Sequence, residues 1–403
     1  MPRLGWLGPG VRGGLALVGL VACGGGDGGG NGGSITPPPG PSDTIQVVAG
    51  GNNVPERYTS DLWVHGNYAY TGTWGASPRQ NNPGNVVKIW SLGTAGRPDL
   101  VDSLKLPNIY TVSDIEVSDD GQLLLFSTEG GSNGGIFLYD LADPRRPAFL
   151  DSVLVSTGIH TATFGTIAGR RYVFGAKNPA DPEWLIYDVT DPTQITLTAS
   201  VPIPPAYGIH DTYVRDGLGF VFAWNTGVII YDVGNGIRGG SPANPQEVSR
   251  LVTGSSATVT PSVHNGWWFH NPVSGENRYL FIGQEGPGVI GSQSSGDIHV
   301  VDVSNLTNPR EVASFHLDGA GTHNFWMDET RQILYAAYYN GGVVALDVSG
   351  TLSGDLSNRL LAEIVPGGQG NTFTWGVQLA NGSLYASDML SGLWQLTEVR
   401  EKP

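Results

Sequence analysis

The sequence is short of several things that most folds of its size rely on. One cysteine in 403 residues, Cys23, rules out an internal disulfide. Charged residues are only 14%, and no stretch has the spacing of a long amphipathic helix. Beyond the first 22 residues no segment is apolar for long enough to cross a bilayer. Lys and Arg number 21 against 36 Asp and Glu, a formal charge of −15. Such a chain is repelled by phosphate backbones, which sets nucleic acid aside as a partner. Neither a Gly-Lys phosphate loop nor an H-E-x-x-H zinc helix is present. What abounds instead is Gly 60 and Pro 27, the composition of many tight turns and much β-structure.

The first residues carry Arg3 and Arg12 ahead of the apolar run "LALVGLVA" and end in Leu20-Val21-Ala22-Cys23. Residues 1–22 therefore read as a secretory signal, and the last four residues resemble a bacterial lipobox. Lipidation of Cys23 would make it a membrane anchor, with the protein facing outward from the cytoplasm. An ordinary signal cleaved nearby would leave a secreted protein instead. Residues 23–43, "CGGGDGGGNGGSITPPPGPSD", read as a flexible glycine segment running into stiffer proline, a tether.

Residues 44–399 repeat. Seven hairpins recur, among them "HGNYAYTG" (65–72), "SDDGQLLLFS" (118–127), "IAGRRYVFG" (167–175) and "DETRQILYAA" (328–337), each a Gly, Asn or Asp turn followed by apolar β-formers. Each is followed by a buried strand such as "GGIFLYDLADP" (134–144) or "GDIHVVDVSNLTNP" (296–309). Most of these strands leave through an aspartate whose carboxylate can accept from the backbone N–H groups just beyond it. A further strand closes six units, while the seventh lacks one, and "TIQVV" (44–48) is the candidate to complete it. These counts predict an all-β fold, a seven-bladed β-propeller of four-stranded antiparallel blades whose ring is closed by an N-terminal strand. "IHVVDVSNLTNP" and "IFLYDLADPRRP" resemble the bacterial LVIVD-repeat family, surface or secreted repeat proteins. The resemblance spans nearly all of 44–399 and implies fold more than activity.

The strand before each hairpin should lie beside the central channel. Aligned there, the units read "SDLWV", "SDIEV", "IHTAT", "IHDTY", "VHNGW", "THNFW" and "TWGVQ". One column then holds Asp61, Asp114, His160, His210, His264, His323 and Trp375. Two readings compete. The polar side chains can satisfy backbone groups of neighbouring blades. Alternatively, the four histidines converge on a transition metal such as zinc or copper, with Asp114 as a further ligand or as the group orienting His160. The nearby tryptophans can pack between blades or form a stacking surface. Loops at 73–84, 176–183 and 284–296 should decorate one rim, where binding usually resides. The leading expectation is thus a lipid-tethered binding module that takes a protein or polymer at its loop rim, alone or as a subunit of a membrane-attached assembly. The alternative is a metal-dependent oxidoreductase or hydrolase.

Overall fold

Each hairpin of the sequence becomes the inner pair of strands of one blade. The computed structural model describes residues 44–399 apart from 52–54, 93–97, 179–180, 205–206, 255–260 and 287. The signal segment 1–22, the tether 23–43 and Cys23 lie outside the described residues. Blade 1 is Tyr58–His65, Tyr68–Trp74, Val86–Ser91 and Asp99–Lys105; blade 2 is Thr111–Val117, Leu123–Glu129, Gly135–Asp140 and Ala148–Leu154. Blade 3 is Thr161–Ile167, Arg170–Lys177, Glu183–Asp188 and Thr196–Pro202; blade 4 is Asp211–Arg215, Leu218–Phe222, Val228–Asp232 and Gln246–Leu251. Blade 5 is Val263–Phe269, Tyr279–Gln284, Ile298–Asp302 and Arg310–Phe315; blade 6 is Phe325–Asp328, Ile333–Ala337, Val343–Asp347 and Leu360–Ile364. Blade 7 is Thr374–Ala380, Ser383–Asp388 and Gly392–Leu396, with Val47–Gly50 as its outermost strand. That last strand pairs antiparallel with Gly392–Leu396, so the ring closes as expected, three residues further along than "TIQVV" begins.

Two features were not legible. Gly354–Asp355 adds a short parallel strand to the outer edge of blade 5, and Ser357–Arg359 forms a 3-10 turn. The expected carboxylate turns are present: Asp140, Asp188, Asp232, Asp302 and Asp347 each accept from the N–H two residues on. Through these turns the chain leaves the third strand of a blade with its backbone donors satisfied.

Burial falls from the middle of a blade to its rim. Leu123–Glu129 is buried along nearly its whole length, whereas the outer strand Ala148–Leu154 of the same blade is half-buried to exposed. Neighbouring blades share apolar layers, and the layer between blades 3 and 4 is built on Trp184. Its ring is fully buried, with centroids 5.4 Å from Phe174 and 5.2 Å from Tyr231. A Cβ on Gly219 would fall 2.4 Å from the indole, so glycine there makes room for it. Trp184→Ala should cost about 3–5 kcal/mol, because the wedge between two sheets cannot collapse to fill the space. Denaturant unfolding of the variant checks this, and a loss under 1 kcal/mol would contradict it.

Candidate functional site at the channel

Every inner strand begins with one extra residue. Thr161 faces Ala176 in the blade 3 ladder, yet the His160 N–H also bonds to the Ala176 carbonyl at 2.8 Å. The same two-on-one arrangement sets His210 with Asp211 over Phe222, and His323 with Asn324 over Ala337. In blades 2, 5 and 7 the register shifts between Val112 and Asp114, Val263 and Asn265, and Thr374 and Gly376. Blade 1 shifts between Thr59 and Leu62. A bulge re-aims a side chain. Here it lets two successive residues face the axis where a regular strand would alternate.

The channel is therefore layered. The bulge layer is Ser60, Ser113, His160, His210, His264, His323 and Trp375. The next residue of each strand gives Asp61, Asp114, Thr161, Asp211, Asn265, Asn324 and Gly376. Two residues further come Trp63, Glu116, Thr163, Tyr213, Trp267, Trp326 and Gln378. The four histidines and Trp375 share a layer as the sequence column proposed. Asp61 and Asp114 sit one layer below them, because the bulge was not counted when the units were aligned.

The imidazoles form a continuous arc. Ring centroids are 4.7 Å apart between His160 and His210, 5.2 Å between His210 and His264, and 4.2 Å between His264 and His323. Trp375 continues the arc 4.2 Å beyond His323. Donor atoms of His160, His210 and His264 lie within 4.8 Å of one another, and so do those of His264, Glu285 and His323. The Nδ1 atoms of all four histidines are buried without a hydrogen-bond partner. That of His160 lies 3.0 Å from Glu129 Oε1, close enough for an ion pair but not aligned for a hydrogen bond. Buried polar atoms left unpaired are costly, so a cluster of them calls for an explanation.

Glu129, Glu285 and Tyr339, which the sequence reading missed, complete the site with Trp224, all at or just past the far ends of the second strands. Glu285 Oε2 lies 3.7 Å from both His210 Nδ1 and His264 Nε2, and Glu285 Oε1 accepts from the Tyr339 hydroxyl. Glu129 faces His160, and Trp224 stacks on His210 with centroids 4.1 Å apart. Aligning the ends of the seven second strands would have placed these residues in one column, but nothing in the local sequence ties that column to the axis. The loops 73–84, 176–183 and 284–296 leave the second strands at this same end of the channel.

Electrostatics separate the histidines. Burial alone would depress His160, but the negative charges of Glu129, Glu285 and Asp114 raise it to about 9. Burial and the His160 charge push His264 down to about 3. Burial, with the neighbouring imidazoles, holds His210 and His323 well below the usual histidine range. Burial raises Glu285 to about 7, against its bond from Tyr339. At neutral pH three imidazoles are thus uncharged, the form in which histidine ligates metals.

The layer below works differently. Asp114 Oδ2 accepts from the Ala162 N–H at 2.8 Å, and Glu116 from the Phe164 N–H at 3.0 Å. Asp61 accepts from the Asn324 side chain at 2.8 Å and from the Ile115 N–H at 3.4 Å. Gln378 brackets Val64 through both its backbone groups. These carboxylates and amides staple one inner strand to the next, which is the structural reading applied to Asp61 and Asp114. Asp114 joins neither donor group among the described residues. Of the remaining histidines, His299 pairs with Glu311 and His316 with Asp297, both at 2.7 Å.

Glu116 supplies a pH prediction. Burial lifts its pKa from 4.5 to about 8, partly offset by its bonds from Thr163 and Phe164. A carboxyl whose folded pKa is raised stabilises fully below its unfolded value and loses that contribution as pH rises towards the folded one. Glu116→Gln should therefore match the parent at pH 4.5. It should melt higher by pH 8.5, by roughly 2–4 °C. Equal melting temperatures across that range would refute the reading.

Two segments of the chain, residues 56–77 and 293–316, match the LVIVD repeat family. Solved structures similar to the whole include the C-terminal WD40 domain of Sif2 (TM-score 0.53, 12% identity, 85% of this chain and 82% of that one). The β-propeller domain of Myceliophteria thermophila Cps50 (Swd1) gives 0.56 at 14% identity over 85% of this chain and 98% of that one. Saccharomyces cerevisiae Sqt1 gives 0.51 at 10% identity over 86% and 81%. No curated protein is significantly similar in sequence. At these identities the likeness is one of fold, a β-propeller compatible with an interaction module.

Proposed function

We propose that the protein is a binding propeller that holds a divalent transition metal, zinc or copper, in its histidine cluster. The metal would sit within the rim of loops and be offered there to a protein or polymer partner. The observation that carries this reading is the convergence of four imidazoles whose Nδ1 atoms are all buried without a hydrogen-bond partner, with Glu285 among them. Such a set suits zinc or copper, which take imidazole nitrogen with carboxylate as a further donor. Ligation would leave one nitrogen of each ring to bind metal and the other for Glu129 or a neighbouring group. Residues 1–23 support a lipid tether on Cys23 outside the cytoplasm, resting on the Leu20-Val21-Ala22-Cys23 sequence. Among the described residues no helix is long and apolar enough to cross a membrane.

Elemental analysis of protein purified without a histidine tag tests the metal. One zinc or copper per chain is expected, and a metal-free protein that takes up neither ion would end the proposal. For the tether, Cys23→Ser should move the protein from the membrane fraction to the soluble one. A second reading, a metal-dependent oxidoreductase or hydrolase, draws on Glu285. Its carboxylate touches two imidazoles on one side and the Tyr339 hydroxyl on the other, a placement suited to proton transfer beside a metal.

A further inference from the structure

The lower half of the channel holds a second set of side chains, which the metal reading leaves unused. Below the aspartate layer, a cavity of about 500 Å³ opens towards the hairpin turns. Trp63, Trp326, Trp267 and Tyr213 form a contiguous aromatic wall, with successive ring centroids 5.9, 5.5 and 5.5 Å apart. None of the four is fully buried, so their faces remain open to the cavity. Glu329 accepts from the Trp267 indole N–H at 3.2 Å, which fixes that ring.

The sevenfold order puts Glu116 of blade 2 across the axis from Trp267 of blade 5 and Trp326 of blade 6. Asp114, Asp119, Asp211 and Asp216 line the same cavity. Its one basic lining residue, Arg215, is held by both oxygens of Glu329 at 2.5 and 3.1 Å. Asp114, Glu116 and Asp119 of blade 2 thus face the indoles of blades 5 and 6, while Asp211 and Asp216 flank Tyr213 on blade 4. Among the described residues, these carboxylates form no compact donor group of the kind the histidines do. A small inorganic cation would find no cage here. A cation with diffuse charge and an apolar flank would meet an indole face on one side and a carboxylate on the other.

We infer that the lower cavity binds a small organic cation of the alkylated ammonium class, its charged head between the Trp267 and Trp326 rings and Glu116. This site is independent of the histidine cluster, and it stands or falls separately from the metal.

The test is calorimetric titration of the full chain at pH 9, where Glu116 is ionised, with choline and with its neutral isostere 3,3-dimethyl-1-butanol. Saturable one-to-one binding of choline is expected, with the isostere weaker by about tenfold. Glu116→Gln and Trp326→Leu should each weaken choline about fivefold or more. Both should retain cooperative unfolding. His264→Ala should leave choline binding unchanged. Equal binding of the isostere, displacement of choline by calcium, or no saturable heat up to about 10 mM would each overturn the inference.

Discussion

Chelation of the metal proposed for the histidine cluster should lower the melting temperature by about 5 °C or more, the shift expected when ligand at a thousandfold excess over its dissociation constant is withdrawn. The reasoning is one of linkage. The folded ring gathers His160, His210, His264 and His323 from four blades, whereas the unfolded chain separates them by about 50 residues or more. A metal held there would therefore bind the native state almost exclusively, and its binding energy would become folding energy. His210→Ala with His264→Ala removes a member of each donor group, so this variant should be insensitive to chelator and purify without metal. The variant should still fold, because the blades are held by their own strand ladders and apolar layers rather than by the imidazoles. A parent whose melting temperature ignores both chelator and added zinc or copper would contradict the metal reading.

Deletion of the closing strand should be more damaging still. Val47–Gly50 covers the outer edge of Gly392–Leu396, with Val47 facing Leu396 and Gly50 facing Trp394. Just ahead of it Gln46 and Thr397 exchange bonds of 2.9 and 2.8 Å, and Ile45 is 4% exposed in a cluster with Tyr335, Leu361, Leu396 and Val399. Hydrogen bonds at about 1 kcal/mol each and the burial of Ile45 at about 2 kcal/mol sum to roughly 5 kcal/mol, comparable with the whole stability of many domains. A chain starting at residue 52 would also expose a long unpaired edge, an invitation to pair with other copies. Aggregation or a melting temperature lower by roughly 10 °C is expected by size-exclusion chromatography and calorimetry. Ile45→Ala serves as the milder control, at about 2–4 kcal/mol. A truncated chain that elutes as a monomer with the parental melting temperature would show that closure is not a stability determinant.

Much of this architecture can be read from the chain because the blade repeats its own grammar. The hairpin "SDDGQLLLFS" and the exit "YDLADP" each need only local chemistry, a turn residue with positive φ or a carboxylate over bare N–H groups. Counting such elements yields the number of blades, and the one missing outer strand points to the N-terminal strand that supplies it. The histidines were visible for the same reason, as repeats of one setting. Two parts of the site were not. The bulge adds a residue without changing the local composition, so Asp61 and Asp114 were set level with the histidines when they lie one step below. Glu285 and Tyr339 lie just past the second strands of blades 5 and 6, and only the ring sets Glu285 beside His210 of blade 4 and Tyr339 beside Glu285. Sequence spacing carries strand identity well but carries no information on where a strand end sits around a circle.

The doubled residue at the head of each inner strand also decouples chemistry from architecture. Its first member joins the ladder through its backbone N–H, as His160 does to Ala176, and the regular ladder resumes at the second. Ser60 and Ser113 hold the position that histidine holds in four other blades, so Ser113→His would extend the donor arc towards a fifth ring by a single replacement. The bulge position can in this way carry serine, histidine or tryptophan at the channel, while the aspartates beneath tie one inner strand to the next.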